Sequence, residues 1–282
     1  MPELPEVETI AADLNEMVRG LTIAEALVNR EKIIAGQAKI FALRLAGAKI
    51  EEVCRLGKWL HFRLGGPFGP VHLLAHLKMT GQFLLEPWAD SRVWPKHVHA
   101  ALCLAPSPGL ALFYRDIRQF GRLRALNQAE WAVFLEKLNL GPDPLMVTAE
   151  EFHQRLTARR GRLKPTLLNQ AVVAGFGNIY ADESLFAARL SPFISAALLS
   201  RAETGRLLRE AKRIFTAAIA ARGSTTNNYQ GLKGGGAYQA RHLVYGRAGR
   251  PCPVCGTAIQ RLALGGRGTH ICPSCQIGRA HV

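Results

Sequence analysis

The chain has 282 residues, of which 48% are hydrophobic, and carries 36 Lys and Arg against 21 Asp and Glu for a formal charge of +15. That apolar content excludes a disordered chain, no uncharged apolar run approaches the roughly 18 residues of a membrane span, and the acidic start lacks the basic-then-apolar order of a secretory leader. A soluble intracellular protein of two or three domains with a polyanionic partner is expected, nucleic acid before an anionic membrane surface.

In chain order, the first feature is Met1-Pro2-Glu3-Leu4-Pro5-Glu6. Loss of Met1 would leave Pro2 with a free secondary amine, less protonated at neutral pH than a lysine and able to attack a carbonyl. Glu3 and Glu6 beside it are candidate acid/base groups. From the hexapeptide alone, a frayed proline-rich terminus is the plainer reading.

Glu8–Arg19 reads as a helix. Residues 20–125 read as β-rich, with short apolar runs such as Leu60–Leu64 and Val71–Leu77 broken by Gly and Pro, which predicts a sandwich or barrel of antiparallel strands. Cys54 and Cys103 fall in such segments and read as core thiols. His76-Leu77-Lys78-Met79-Thr80-Gly81 and Asp116-Ile117-Arg118-Gln119-Phe120-Gly121 end strands in glycine turns. Met79 and Phe120 would ordinarily be core residues; exposed beside an arginine they would suit a wedge between stacked bases.

Leu140-Gly141-Pro142-Asp143-Pro144-Leu145 breaks the pattern and reads as a linker. Helices are predicted over Glu150–Arg159, Lys164–Leu168, Ala181–Arg189 and Ser200–Arg222, the last with a Ser200/Glu203 capping box. Gly175-Phe176-Gly177-Asn178 opens the third of these, with Asn178 placed as its N-cap or as an anion contact at a helix N-terminus. Residues 223–239 read as a flexible loop.

After Glu210 the chain has no acidic residue, and its last 72 residues hold ten basic ones, +10 of the +15. Such one-sided charge fits phosphate contact better than a solvated face. Within this stretch lies Cys252-x2-Cys255-x16-Cys272-x2-Cys275. Two knuckles of this spacing can supply four thiolates to one structural zinc, with no open position for catalysis. Between them, Gly265-Gly266-Arg267-Gly268 reads as a hairpin tip exposing one arginine to a phosphate.

Taken together, the opening Pro2–Thr9 motif, Gly57-Lys58-Trp59-Leu60, the two glycine turns, residues 172–186 and Val244-Tyr245-Gly246-Arg247 before the cysteines resemble, in order and over essentially the whole chain, the bacterial formamidopyrimidine-DNA glycosylases. The resemblance implies an α+β multidomain chain: an N-terminal antiparallel β-sandwich with flanking helices over 1–141, a linker over 142–148, a helix–two-turn–helix domain over 149–245 and a β-hairpin zinc finger over 246–282. It implies a bifunctional glycosylase and abasic-site lyase of base excision repair that removes 8-oxoguanine and formamidopyrimidines from duplex DNA. Such an enzyme would act as a monomer in the bacterial cytoplasm, with damaged double-stranded DNA as partner and one structural zinc.

In this resemblance Pro2 is the nucleophile, Glu3 the acid/base on the sugar, and Lys58 lies near the lesion. His76, Asn178, Tyr245 and Arg267 grip the backbone. Met79, Arg118 and Phe120 fill the vacated stack, and 223–239 closes over the flipped base. This chain departs from the family pattern at Gln119, where a second basic residue is usual, in the Gly-rich run 231–237, and in the tail Ile277–Val282. An endonuclease VIII-like enzyme for oxidised pyrimidines is the near alternative, against which Leu4 stands where that branch carries Gly. A zinc-finger protein that binds DNA without chemistry is the other, against which Pro2, Glu3 and Lys58 stand intact.

Overall fold

Helix α1 (Leu4–Val18) opens the chain and buries Leu4, Val7, Ile10, Leu14 and Val18, the three- and four-residue spacing of one apolar face. It begins four residues before the expected Glu8. Pro5 falls in its first turn, where a missing N–H costs nothing. The computed structural model describes residues 1–88, 93–107, 109–225 and 231–276. The tail 277–282, to which the sequence assigns no role, lies outside them, as do residues 226–230 of the expected loop.

Two compact units result. The first comprises Met1–Leu138 and Arg222–Gly236. Its strands are β1 (Thr22–Val28), β2 (Ala48–Leu56), β3 (Trp59–Gly66), β4 (Gly69–His76), β5 (Gly81–Pro87), β6 (Val98–Ala105), β7 (Leu110–Asp116) and β8 (Arg122–Asn127). They pair antiparallel in the order β5-β7-β6-β1-β2-β3-β4-β8. The ladder folds on itself: Phe62 of β3 meets Phe83 of β5 at 5.5 Å between ring centroids, although these strands are not ladder neighbours. A register shift between Ile23 and Glu25 bends β1 where the two halves join. This is the expected sandwich, with α1 against β2 and β3.

Two helices interrupt the stretch read as β-rich or follow it. In α2 (Ala38–Leu45) only Phe41 and Leu45 are buried, four residues apart on one face. In α3 (Gln128–Leu138) no residue is fully buried.

The second unit comprises Asn139–Ala221 and the chain from Ala237 onward. It holds α4 (Ala149–Thr157), α5 (Leu163–Leu168), α6 (Asn178–Ala187), α7 (Arg201–Ala220) and a hairpin of β9 (Gln260–Leu264) and β10 (Arg267–Ile271). Thr148 caps α4 by accepting the Glu151 amide. Ser200 and Glu203 form the predicted capping box of α7. Phe176 and Tyr180 pack their rings on Phe215 of α7 at 4.8 and 5.5 Å. Residues 169–177 make the two turns between α5 and α6, giving the helix–two-turn–helix motif. Gly265 and Gly266, at φ 58° and 71°, make the two-residue hairpin turn that needs left-handed backbone at both positions. No helix among the described residues is long and apolar enough to cross a membrane.

Candidate active site and nucleic-acid interface

In the first unit the candidate chemistry gathers at the start of α1. Pro2 is buried and Glu3 is 4% exposed, so this terminus is not frayed. The Glu3 amide donates to one Glu6 oxygen at 2.8 Å, and the Ser224 amide donates to the other, also at 2.8 Å. Gly223 has φ +81°, and a Cβ there would stand 2.8 Å from the Glu6 carboxylate, so only glycine fits this approach. Two further ion pairs hold the same segment on α1: Arg222 to Asp13 at 2.5 Å and Lys233 to Glu16 at 2.7 Å. The described parts of the segment expected to cover the lesion are therefore pinned to α1, which begins directly after Pro2 and Glu3.

Lys58 sits in the turn between β2 and β3, 8% exposed. Arg55 ties that turn to α1, donating to Glu8 at 2.6 Å and to the Gly57 carbonyl at 3.3 Å. Across the ladder Trp59 pairs with His76, and their rings meet edge-on at 4.9 Å. His76 thus lies beside the Lys58 turn. Burial, reinforced by the Lys78 and Lys58 cations, pushes its pKa down to about 3. His76 Nδ1 accepts the Lys78 amide at 3.1 Å, so the neutral ring carries its proton on Nε2 and offers it as a donor.

The two glycine turns hold Met79 and Phe120, each 47% exposed. The core reading of these residues is therefore wrong: each directly follows a non-glycine residue in left-handed conformation, Lys78 at φ 49° and Gln119 at φ 55°, which turns the next side chain outward. The Arg118 guanidinium reaches Met79 Sδ at 3.0 Å and lies over the Phe120 ring at 4.8 Å. The three side chains are thus assembled into one projecting group. Cys54 and Cys103, also expected in the core, are only partly buried, and Cys54 Sγ lies 3.7 Å from His61 Nδ1.

In the second unit, Asn178 is the first residue of α6 and Gly177 is its N-cap. The capping expectation fails by one position, and the Asn178 side-chain amide turns to the hairpin, donating to the Gly268 carbonyl at 3.0 Å. Its Oδ1 is buried without a hydrogen-bond partner. Tyr245 is placed by Glu183, which accepts the amides of Leu243, Val244 and Tyr245 at 2.8 to 2.9 Å. Burial raises the Glu183 pKa against those three donors. Arg267 is exposed at the first position of β10, beside the hairpin turn.

Charge buried beneath this surface escaped the sequence reading. Lys164 and Asp182 form an ion pair at 2.6 Å with both side chains at 0% exposure. Lys164 Nζ also donates to the Gly268 carbonyl and the Thr269 hydroxyl, at 3.0 and 2.9 Å. Asp182 Oδ2 accepts the His270 amide at 2.9 Å. This network joins α5 and α6 to β10 immediately after Arg267.

The sulfurs of Cys252, Cys255, Cys272 and Cys275 lie within 4.8 Å of one another. Cys252–Cys275 and Cys255–Cys272 are 3.9 and 3.4 Å apart, near the edge of about 3.8 Å expected for a tetrahedron of zinc–thiolate bonds. The amides of Val254 and Cys275 point at Cys252 and Cys272 sulfurs, both at 3.4 Å, as in a metal knuckle. Among the described residues the cluster consists of these four thiols, and four thiolates fit one structural zinc.

Three family models match the chain: the formamidopyrimidine-DNA glycosylase N-terminal domain over residues 1–123, the formamidopyrimidine-DNA glycosylase H2TH domain over 140–230, and a zinc finger found in FPG and IleRS over 249–277. Formamidopyrimidine-DNA glycosylases of Thermus thermophilus and Streptococcus pyogenes are 43% and 40% identical to it, each alignment covering 98% of both chains. The crystal structure of MutM (Fpg) from Thermus thermophilus superposes with a TM-score of 0.85 at 41% identity, covering 98% of each chain. A Lactococcus lactis FPG mutant in complex with Fapy-dG-containing DNA superposes with a TM-score of 0.89 at 32% identity, covering 98% of this chain and 99% of that one. The chain belongs to the formamidopyrimidine-DNA glycosylase family and is a DNA glycosylase of base excision repair.

Proposed function

We propose that the chain excises 8-oxoguanine and formamidopyrimidines from duplex DNA with Pro2 as nucleophile, then cleaves the strand as an abasic-site lyase. The observation that carries this is the buried Pro2-Glu3 pair at the N-terminus of α1, held by Glu6. Removal of Met1 frees the Pro2 nitrogen from its amide. The positive end of the helix disfavours an ammonium there and favours the nucleophilic amine.

A damaged base within a duplex is out of reach and must be extruded at a cost of a few kcal/mol. Met79, Arg118 and Phe120 offset that cost by filling the gap. His76, through Nε2–H, with Asn178, Tyr245 and Arg267, holds the phosphates. Pro2 nitrogen bonds to C1′ as the bond from C1′ to the base breaks and the base leaves with a proton. Glu3 then protonates the sugar ring oxygen as the C1′–O4′ bond breaks, which opens the ring to an iminium, and it serves later proton transfers. The resulting iminium acidifies the C2′ proton, whose loss expels the 3′ phosphate; a second elimination expels the 5′ phosphate. Lys58 supplies positive charge beside the lesion's phosphate. The zinc holds the hairpin and takes no part in the chemistry. On this reading the working domains are 1–141, 149–245 and 246–282, and the enzyme acts as a monomer on the bacterial nucleoid in the cytoplasm.

Borohydride trapping with an 8-oxoguanine:C duplex tests this reading. A covalent adduct is expected with the Met1-processed protein and none with Pro2→Gly carrying extra N-terminal residues. No adduct from the processed protein, or faster single-turnover cleavage of thymine glycol than of 8-oxoguanine, would overturn it.

A further inference from the structure

We infer that Thr80 and Asp116 are positioning residues that lock the two projecting turns together, so that Met79 and Phe120 enter the base stack as one body. The inference rests on the wedge reading of Met79, Arg118 and Phe120 given above.

Asp116 ends β7 with 0% exposure. One carboxylate oxygen accepts the Thr80 hydroxyl, from the other turn, and the Arg118 amide at 3.2 Å. The second accepts the Gly121 amide at 2.8 Å. Thr80 Oγ1 in turn accepts the Arg118 amide at 3.0 Å, so its hydroxyl both gives to Asp116 and receives from the Asp116 turn. The backbone of Asp116 is fixed as well: its amide donates to the His97 carbonyl and its carbonyl accepts His99 Nε2, at 3.0 and 2.8 Å.

Behind both turns stands Tyr114. A Cβ at Gly81 would lie 2.5 Å from its hydroxyl oxygen, and one at Gly121 would overlap it. Both wedge turns therefore close on the same buried ring.

These bonds end on a buried carboxylate, where charge-assisted hydrogen bonds are about twice as strong as neutral ones. Parting the turns would strand that charge. Two independently mobile wedges would each lose freedom on insertion, whereas a locked pair loses it once. The lock thus lowers the cost of entering the duplex without touching DNA.

Asp116 is too deeply buried to replace without risk to the fold, so Thr80 carries the test. Thr80→Val removes the hydroxyl at nearly constant shape, and Thr80→Ser retains it. Insertion is read by stopped-flow fluorescence of 2-aminopurine beside the lesion, and excision by single-turnover kinetics. Thr80→Val is expected to slow both about tenfold, the scale of one lost bond to a charged group, and Thr80→Ser to restore them.

In the wild-type background Met79→Ala and Phe120→Ala are expected to be non-additive; in Thr80→Val their effects should multiply. Unchanged insertion in Phe120→Ala would sink the wedge reading itself. If Phe120→Ala slows insertion but Thr80→Val does not, or if the two alanine effects are additive in wild type, the wedge stands and the lock is wrong.

Discussion

Glu6 accepts the backbone amide of Ser224, 218 residues away, with one carboxylate oxygen and that of Glu3 with the other. One buried side chain thus fixes both the residue after Pro2, the proposed nucleophile, and the start of the segment expected to cover the lesion. A glutamine cannot accept at both ends, because one end becomes a donor. Glu6→Gln is therefore expected to cut single-turnover excision roughly 10- to 100-fold and to speed amide exchange at Ser224. Unchanged exchange at Ser224 would mean that this carboxylate does not hold the segment.

The Lys164–Asp182 pair makes a prediction about stability. Removing either partner alone leaves a charge buried at 0% exposure. Lys164→Met or Asp182→Asn should each cost about 3–5 kcal/mol in urea unfolding, and the double variant less than their sum. Additive losses would show that the two side chains do not depend on each other.

Arg267 is expected to act at a phosphate. Arg267→Ala should weaken duplex binding with little dependence on sequence and reduce the slope of log affinity against log salt by about one. An unchanged slope would place this arginine elsewhere.

Metal removal should be felt at the same hairpin. A strong chelator, or Cys275→Ser, is expected to release the zinc and to lower duplex affinity more than about tenfold, as read by metal analysis and filter binding. Full affinity in metal-free protein would count against a structural role for the four thiols.

Histidine burial predicts the acid side of the stability profile. Burial is the leading cause that holds His61 and His242 at about 4 and His76 at about 3. Their folded pKa values lie below the unfolded value, so the unfolded chain binds more protons once pH falls below about 6.5. Stability from these groups should be intact above that pH and decline as pH drops toward 4. His61→Phe should flatten the fall of Tm between pH 6.5 and 4; an identical profile would remove His61 from the account.

The cysteine framework was legible because metal knuckles are local: two residues of spacing encode each half of the site. The strands were legible from short apolar runs between glycine and proline turns. Asp116, Lys164 and Asp182 were not, and Glu6 was read as an acid/base candidate rather than as the acceptor of two amides, because the partners of these charged residues lie on other elements. Helix α3 gave no signal for the same kind of reason: with no residue fully buried, it has no sharp apolar face to betray its period. Asn178 misled because a residue that caps by type stands one position inside the helix, with Gly177 as the N-cap, and its side chain donates to the Gly268 carbonyl instead.

Helix α1 also works as a ruler. Glu6 and Asp13 lie seven residues apart, two turns along one side, and each grips the 222–236 segment. Inserting or deleting one residue between them would rotate one anchor by about 100° relative to the other and release either Ser224 or Arg222. Within the family, changes of chain length should therefore be confined to loops and be absent between Glu3 and Glu16, however freely the exposed face of that helix varies in sequence.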